Sequence, residues 1–229
     1  MPPVLSRYAT LVFDCDGVVL DSNRTKTEAF RTAALPYGPD AADALVAHHI
    51  AHGGVSRYAK FAHFLAQIVP AHATVSDGPG LDALLDSYSQ ATRIGLINCV
   101  AAEGLEALRT ATMGMRWLIV SGGDQAELRR IFAARGLAGL FDGGIFGSPD
   151  TKDEILAREI AAGTIQKPAL FMGDSRYDHA AAKLAGLDFV FINGWTEVHD
   201  WPDFVACADL TTVAGVADLL SPTLVMGTA

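Results

Sequence analysis

The tightest constraint on this chain is that four short stretches are apolar without a break: Leu11-Val12-Phe13, Trp117-Leu118-Ile119-Val120, Leu170-Phe171-Met172 and Phe189-Val190-Phe191-Ile192. A strand with one wet face alternates polar and apolar residues, so unbroken runs predict strands covered on both faces, as in a parallel sheet between helical layers. Helical signals lie between them. Leu128, Ile131 and Phe132 form a stripe after Asp124, a candidate N-cap. Thr151-Lys152-Asp153-Glu154 has capping-box spacing and opens a helix with Leu156 and Ile160 on its apolar face. Strand and helix in alternation predict a doubly wound α/β fold.

One interval breaks the alternation. From Ser22 to about Asn98 the pattern is helical throughout, with stripes at Phe61, Phe64, Leu65, Ile68 and at Leu81, Leu84, Leu85, Tyr88. Pro36, Gly53-Gly54, Pro70 and Gly78-Pro79-Gly80 divide it into about four helices. Residues 22–97 are therefore expected to form a helical unit inserted into an α/β core of residues 1–21 and 98–229. After Leu220 periodicity stops, and Pro222 and Gly227 suggest a frayed end.

Composition narrows the function. A net charge of −9 with no Lys/Arg run argues against nucleic acid or an anionic membrane as partner. No apolar stretch reaches membrane-spanning length, and the first residues lack the pattern of a signal peptide. Cys15, Cys99 and Cys207 are odd in number and far apart, which suits reduced thiols in a cytoplasm.

Two of the apolar runs end in paired acids. Phe13-Asp14-Cys15-Asp16-Gly17 puts two carboxylates on one side of a strand end, where open α/β sheets bind ligands. A solvated Asp-Gly turn would also account for that pair. Gly173-Asp174 ends a second strand, with Asp178 one turn into a helix if Ser175 starts it. Hard carboxylate oxygens from two strand ends suit Mg²⁺, although helix capping alone would explain Asp174. Ser121-Gly122-Gly123 offers a hydroxyl and open backbone N–H groups to a phosphate, and Lys152 stands in a first helical turn, where the helix dipole disfavours a cation. His48 and His52 have i, i+4 spacing, but with no Glu between them and no evident third ligand they read as a polar helix face, not a zinc site.

The ordered set Asp14-x-Asp16-Gly17-Val18, Ser121, Lys152 and Gly173-Asp174-x-x-x-Asp178 resembles the haloacid dehalogenase superfamily. The insertion after the first motif resembles the cap of its phosphoglycolate phosphatase and β-phosphoglucomutase branch. The resemblance implies a Rossmann-like core, a mobile cap, Mg²⁺ and a small phosphorylated substrate. It makes Asp14 the nucleophile and a metal ligand, and Asp16 the general acid/base, with its backbone carbonyl on the metal. Ser121, Gly122 and Lys152 would hold the phosphoryl group, and Asp174 and Asp178 would complete the metal site. Arg57 and Lys60 would read the substrate from a cap loop. Asp16 speaks against a dehalogenase, which has no leaving oxygen to protonate. These core residues do not separate a phosphatase from a sugar-phosphate mutase.

Overall fold

The computed structural model describes residues 4–224; the expected fraying at Gly227 lies outside them. β1 (Thr10–Phe13) is followed at once by five helices: α1 (Asn23–Ala34), α2 (Pro39–Ala51), α3 (Arg57–His63), α4 (Val69–His72) and α5 (Leu81–Asn98). The chain then runs α6 (Leu105–Ala111), β2 (Arg116–Asp124), α7 (Gln125–Ala134), β3 (Gly144–Ser148), α8 (Lys152–Ala161) and β4 (Ala169–Gly173). It continues through α9 (Arg176–Ala185), β5 (Asp188–Ile192) and α10 (Trp201–Cys207) to β6 (Thr211–Val213).

The six strands form one parallel sheet in the order β3-β2-β1-β4-β5-β6. Alternate residues of each apolar run enter separate cores. Leu11, Phe13, Trp117, Ile119, Leu170 and Met172 pack on one face of the sheet. Val12, Leu118, Val120 and Phe171 pack on the other. With both faces buried at the middle of the sheet, neither side of these strands meets water there, which is why the runs are unbroken. The insertion has a third core of its own, in which Phe30 meets Phe61 and Tyr88 with ring centroids 5.0 and 4.5 Å away.

Two local expectations change. β2 does not stop at Val120 but continues to Asp124, with a register shift against β3 between those residues. That irregularity carries Ser121-Gly122-Gly123 on as strand, so the segment is not a loop. In the insertion, α3 passes through a π turn (Phe64–Ile68) into α4, where Pro70 lacks the N–H that a regular helix would use. The result is five helices where four were expected.

The order of the strands positions the chemistry. β1 lies between β2 and β4, with Phe13 level with Ile119 and Met172. Asp14 and Asp174, just past β1 and β4, and Ser121, in β2 beyond Ile119, therefore lie side by side. Trp117 secures this centre. Its ring lies 4.6 Å from Phe13, and its Nε1 donates to Thr112 Oγ1 at 3.1 Å. Trp117→Ala should lower the unfolding free energy by ~3–5 kcal/mol, measured by urea denaturation; a loss below ~1 kcal/mol would mean the sheet centre repacks without it.

Candidate active site

Past Phe13 the chain turns sharply, with Gly17 at φ +75°. A Cβ at Gly17 would come within 2.0 Å of Asp174 Oδ2, so this turn needs glycine for space as well as for conformation. Asp14 is buried, and its Oδ2 lies 2.9 Å from Lys152 Nζ. The same ammonium donates to Asp178 Oδ1. Lys152 opens α8, capped by the expected Thr151–Glu154 box, and is only 1% exposed. The helix dipole opposes a cation there, so its stability rests on the two carboxylates.

Ser175, not Asp174, caps α9. Asp178 Oδ2 accepts from Ser175 N at 3.1 Å and Ser175 Oγ at 2.6 Å, which fixes the carboxylate and aims Oδ1 at Lys152. Asp174 is thereby free of capping, and its Oδ2 accepts from Asn23 Nδ2 at 2.7 Å. Asp14, Asp174 and Asp178 each offer an oxygen within 4.8 Å of the others, all three buried. They form the one such group of metal-ligand side chains among the described residues. His48 stacks between His52 and His63 at 4.1 and 4.0 Å, a face-to-face arrangement and not a converging one.

Three carboxylates around one ammonium leave an excess of negative charge. Burial, and then the proximity of Asp178, push Asp14 up to about 7 against the pull of Lys152. Burial, Asp178 and Asp14 together push Asp174 well above the ordinary carboxylate range. Burial works against charge on Lys152, but Asp14 and Asp178 outweigh it and hold the ammonium more firmly protonated. Hard oxygen donors with an unmet negative charge fit a divalent cation.

Asp16 faces elsewhere. Its Oδ1 accepts from Ser22 Oγ at 2.5 Å, and its Oδ2 lies 2.5 Å from Lys26 Nζ on α1. Burial alone would raise Asp16; Lys26 and the two hydrogen bonds more than reverse this and lower it. Its carboxylate stands outside the metal-ligand trio, so any metal contact would fall to its backbone carbonyl. Cys15, between the two acids, points into the core.

Asp14, Asp16, Gly122 and Asp174 border a cavity of ≈ 60 Å³ together with Lys26, Arg57 and Lys60 from the insertion. Ser121 is fully buried, and its Oγ accepts from Gly123 N at 3.1 Å. Arg57 is already committed. It donates to Glu127 Oε2 at 2.9 Å and has Asp124 Oδ1 at 3.9 Å, tying the insertion to α7. Lys60 is buried against His49, with 2.7 Å between Nζ and Nδ1.

Sequence reasoning did not single out Asn23, Lys26, His49 or Glu197. Lys26 and His49 left a signal. Lys26 shares the buried stripe of α1 with Ala29, Phe30, Ala33 and Ala34, and His49 shares that of α2 with Ala41, Ala42 and Leu45. A charged or polar residue on an apolar stripe is the trace to look for. Glu197 sits in a loop and left none.

With this geometry, the chain belongs to the haloacid dehalogenase-like hydrolases, whose family model matches residues 8–186. No curated protein matches it in sequence. Among solved structures it is similar to a predicted phosphatase from Clostridium acetobutylicum, at 17% identity, TM-score 0.69, covering 94% of this chain and 97% of that one. It is also similar to a predicted phosphoglycolate phosphatase from Haemophilus somnus, at 18% identity, TM-score 0.68, with 96% and 100% covered. A hydrolase from Pseudomonas syringae matches at 20% identity, TM-score 0.68, with 93% and 96% covered. These likenesses establish the fold.

The charge imbalance has a measurable consequence. Burial, and then Asp178, push the Asp14 carboxyl up to about 7 in the folded chain, against 3.8 ordinarily. The folded state therefore binds a proton more tightly than the unfolded one. For this group, stability is fully present below pH ~4 and is lost as pH rises towards 7. A divalent cation removes that penalty. The gain in Tm on adding Mg²⁺ to EDTA-treated protein should thus be larger at pH 8 than at pH 5.5. A gain independent of pH would detach the cation from these carboxylates.

Proposed function

We propose that this protein is a Mg²⁺-dependent phosphatase that hydrolyses a small phosphate monoester through an aspartyl phosphate on Asp14. The observation that carries this reading is the buried Asp14 carboxylate, 2.9 Å from the Lys152 ammonium and grouped with Asp174 and Asp178. Asp14, Asp174 and Asp178 would hold the cation, with the backbone carbonyl of Asp16. When bound, Mg²⁺ supplies positive charge to phosphoryl oxygens that a cluster of carboxylates would otherwise repel.

In the first half-reaction an Asp14 oxygen attacks phosphorus, the bond to the leaving oxygen breaks, and that oxygen takes a proton from the Lys26–Asp16 pair. In the second, water attacks phosphorus and gives its proton to Asp16. Inorganic phosphate departs and the Asp14 carboxylate is restored. Two small displacements replace one difficult one. Lys152 and the backbone N–H groups at Ser121 and Gly122 hold the phosphoryl oxygens, the main task in this chemistry. Asp16, ionised beside Lys26, is already in the form the second half-reaction needs.

The insertion of residues 22–97 acts in this reading as a cap that closes over the substrate and excludes bulk water. Three contacts support that role. Lys26 reaches Asp16, Arg57 reaches Glu127, and Asn23 reaches Asp174. Free Cys15, Cys99 and Cys207 support a reducing, cytoplasmic setting.

The test is turnover of p-nitrophenyl phosphate. Activity should vanish in EDTA and return with Mg²⁺. Asp14→Asn should abolish it, because no phosphoenzyme can form. Asp16→Asn should cost ~10²–10⁴-fold, most for esters with poor leaving groups. Substantial turnover by Asp14→Asn, or full turnover without metal, would defeat the assignment.

A further inference from the structure

Two polar groups lining the cavity, one from the insertion and one from the loop after β5, are not used by this chemistry. His49 is about nine-tenths buried, and its Nε2 has no hydrogen-bond partner. Its Nδ1 faces Lys60 Nζ at 2.7 Å; with the Lys60 amino group donating to Nδ1, Nε2 carries the hydrogen. Nε2 stands 3.9 Å from Glu197 Oε2, too far for a hydrogen bond. Glu197 is held from behind by Thr27 Oγ1, 2.9 Å from both carboxylate oxygens. A buried donor with no acceptor is costly, and this one lines the same cavity as Asp14.

One oxygen can lie within hydrogen-bond distance of both atoms, beside the line that joins them. A hydroxyl about 2.8 Å from each group would accept from His49 Nε2 and donate to Glu197. A carboxylate would satisfy His49 but meet Glu197 as a like charge. Little positive charge is available there to offset that repulsion. Arg57 is paired with Glu127, and Lys26 with Asp16. Burial, and then Lys26, lower Lys60 to about 7, while burial and Lys60 keep His49 neutral.

Size points the same way. The ≈ 60 Å³ chamber suits a phosphoryl group and little more. It adjoins a cleft of ≈ 680 Å³ between α2 and the loops around Ser175 and Val198, and Glu197 lines both. A group extending from phosphorus past Glu197 therefore enters a space with ample room for a monosaccharide.

We infer that His49 and Glu197 form a hydroxyl-reading subsite, and that the leaving group is a polyhydroxylated carbon skeleton, a sugar or polyol, and not a short carboxylic acid. The inference rests on the phosphatase reading above and adds the substrate class. Lys60 acts through His49 as a positioning residue, holding the imidazole in the tautomer that donates towards Glu197.

The test compares kcat/KM with Mg²⁺ for ribose 5-phosphate, fructose 6-phosphate, phosphoglycolate and p-nitrophenyl phosphate. At least one sugar phosphate should exceed phosphoglycolate by ten-fold or more. Glu197→Gln keeps the shape and the Thr27 contact but weakens the acceptor; His49→Phe keeps the ring against Phe30, 4.5 Å away, and removes the donor. Each should lower kcat/KM for the sugar phosphate by ~10–100-fold, at least ten times further than for p-nitrophenyl phosphate. Tm measurements separate a folding defect, which would lower all esters together. Phosphoglycolate as the best of the four, or equal losses on every ester in folded Glu197→Gln, would overturn the inference while leaving the phosphatase reading intact. Failure of the parent protein to hydrolyse any ester would overturn both.

Discussion

Everything near this site depends on one buried ammonium. Lys152 sits among Asp14, Asp174 and Asp178 and neutralises only part of their charge. Removing it would leave three carboxylates in a space with almost no water, each raising the others. Its position at the start of α8 is electrostatically poor in isolation and is made tenable by partners from β1 and α9. The sheet order, the capping box of α9 and the lysine are therefore one device. Each holds a charge where the next requires it, and the remaining imbalance is the property that makes the site receptive to a cation.

The core of this arrangement is legible in the sequence because strong local rules govern it. Unbroken apolar runs mark strands with both faces covered. Thr151-x-x-Glu154 announces its helix start through chemistry confined to four residues. The acids after Phe13 and Gly173 stand out because nothing apolar could replace them at the same place. What sequence reasoning misses depends on packing between distant elements. Lys26 pairs with Asp16 only because α1 folds back over the first strand, and Glu197 faces His49 only because the loop after β5 meets α2. Arg57 shows the same limit: as sequence it is a free cation near a glycine pair, but folding binds it to Glu127.

The two sides of the cavity differ in how they are held. On the sheet side, Asp14 and Asp178 each accept a backbone N–H from within three residues, besides their pairing with Lys152. Across the cavity, each polar group is held by a partner on another element: His49 by Lys60, Lys26 by Asp16, Glu197 by Thr27. Short-range restraint suits chemistry, where ångström errors are costly. Long-range restraint suits recognition, because one exchanged helix residue can alter what is read without disturbing the reacting atoms.

The meeting of Gly122 with the insertion carries this further. A Cβ at Gly122 would lie 2.1 Å from the Gly54 carbonyl oxygen, so the two segments touch backbone to backbone. Any side chain at 122 would hold them apart. A seam made of main-chain atoms is indifferent to the side chains around it. The contact therefore seats the insertion against the strand that carries Ser121 without drawing on a side chain from either segment.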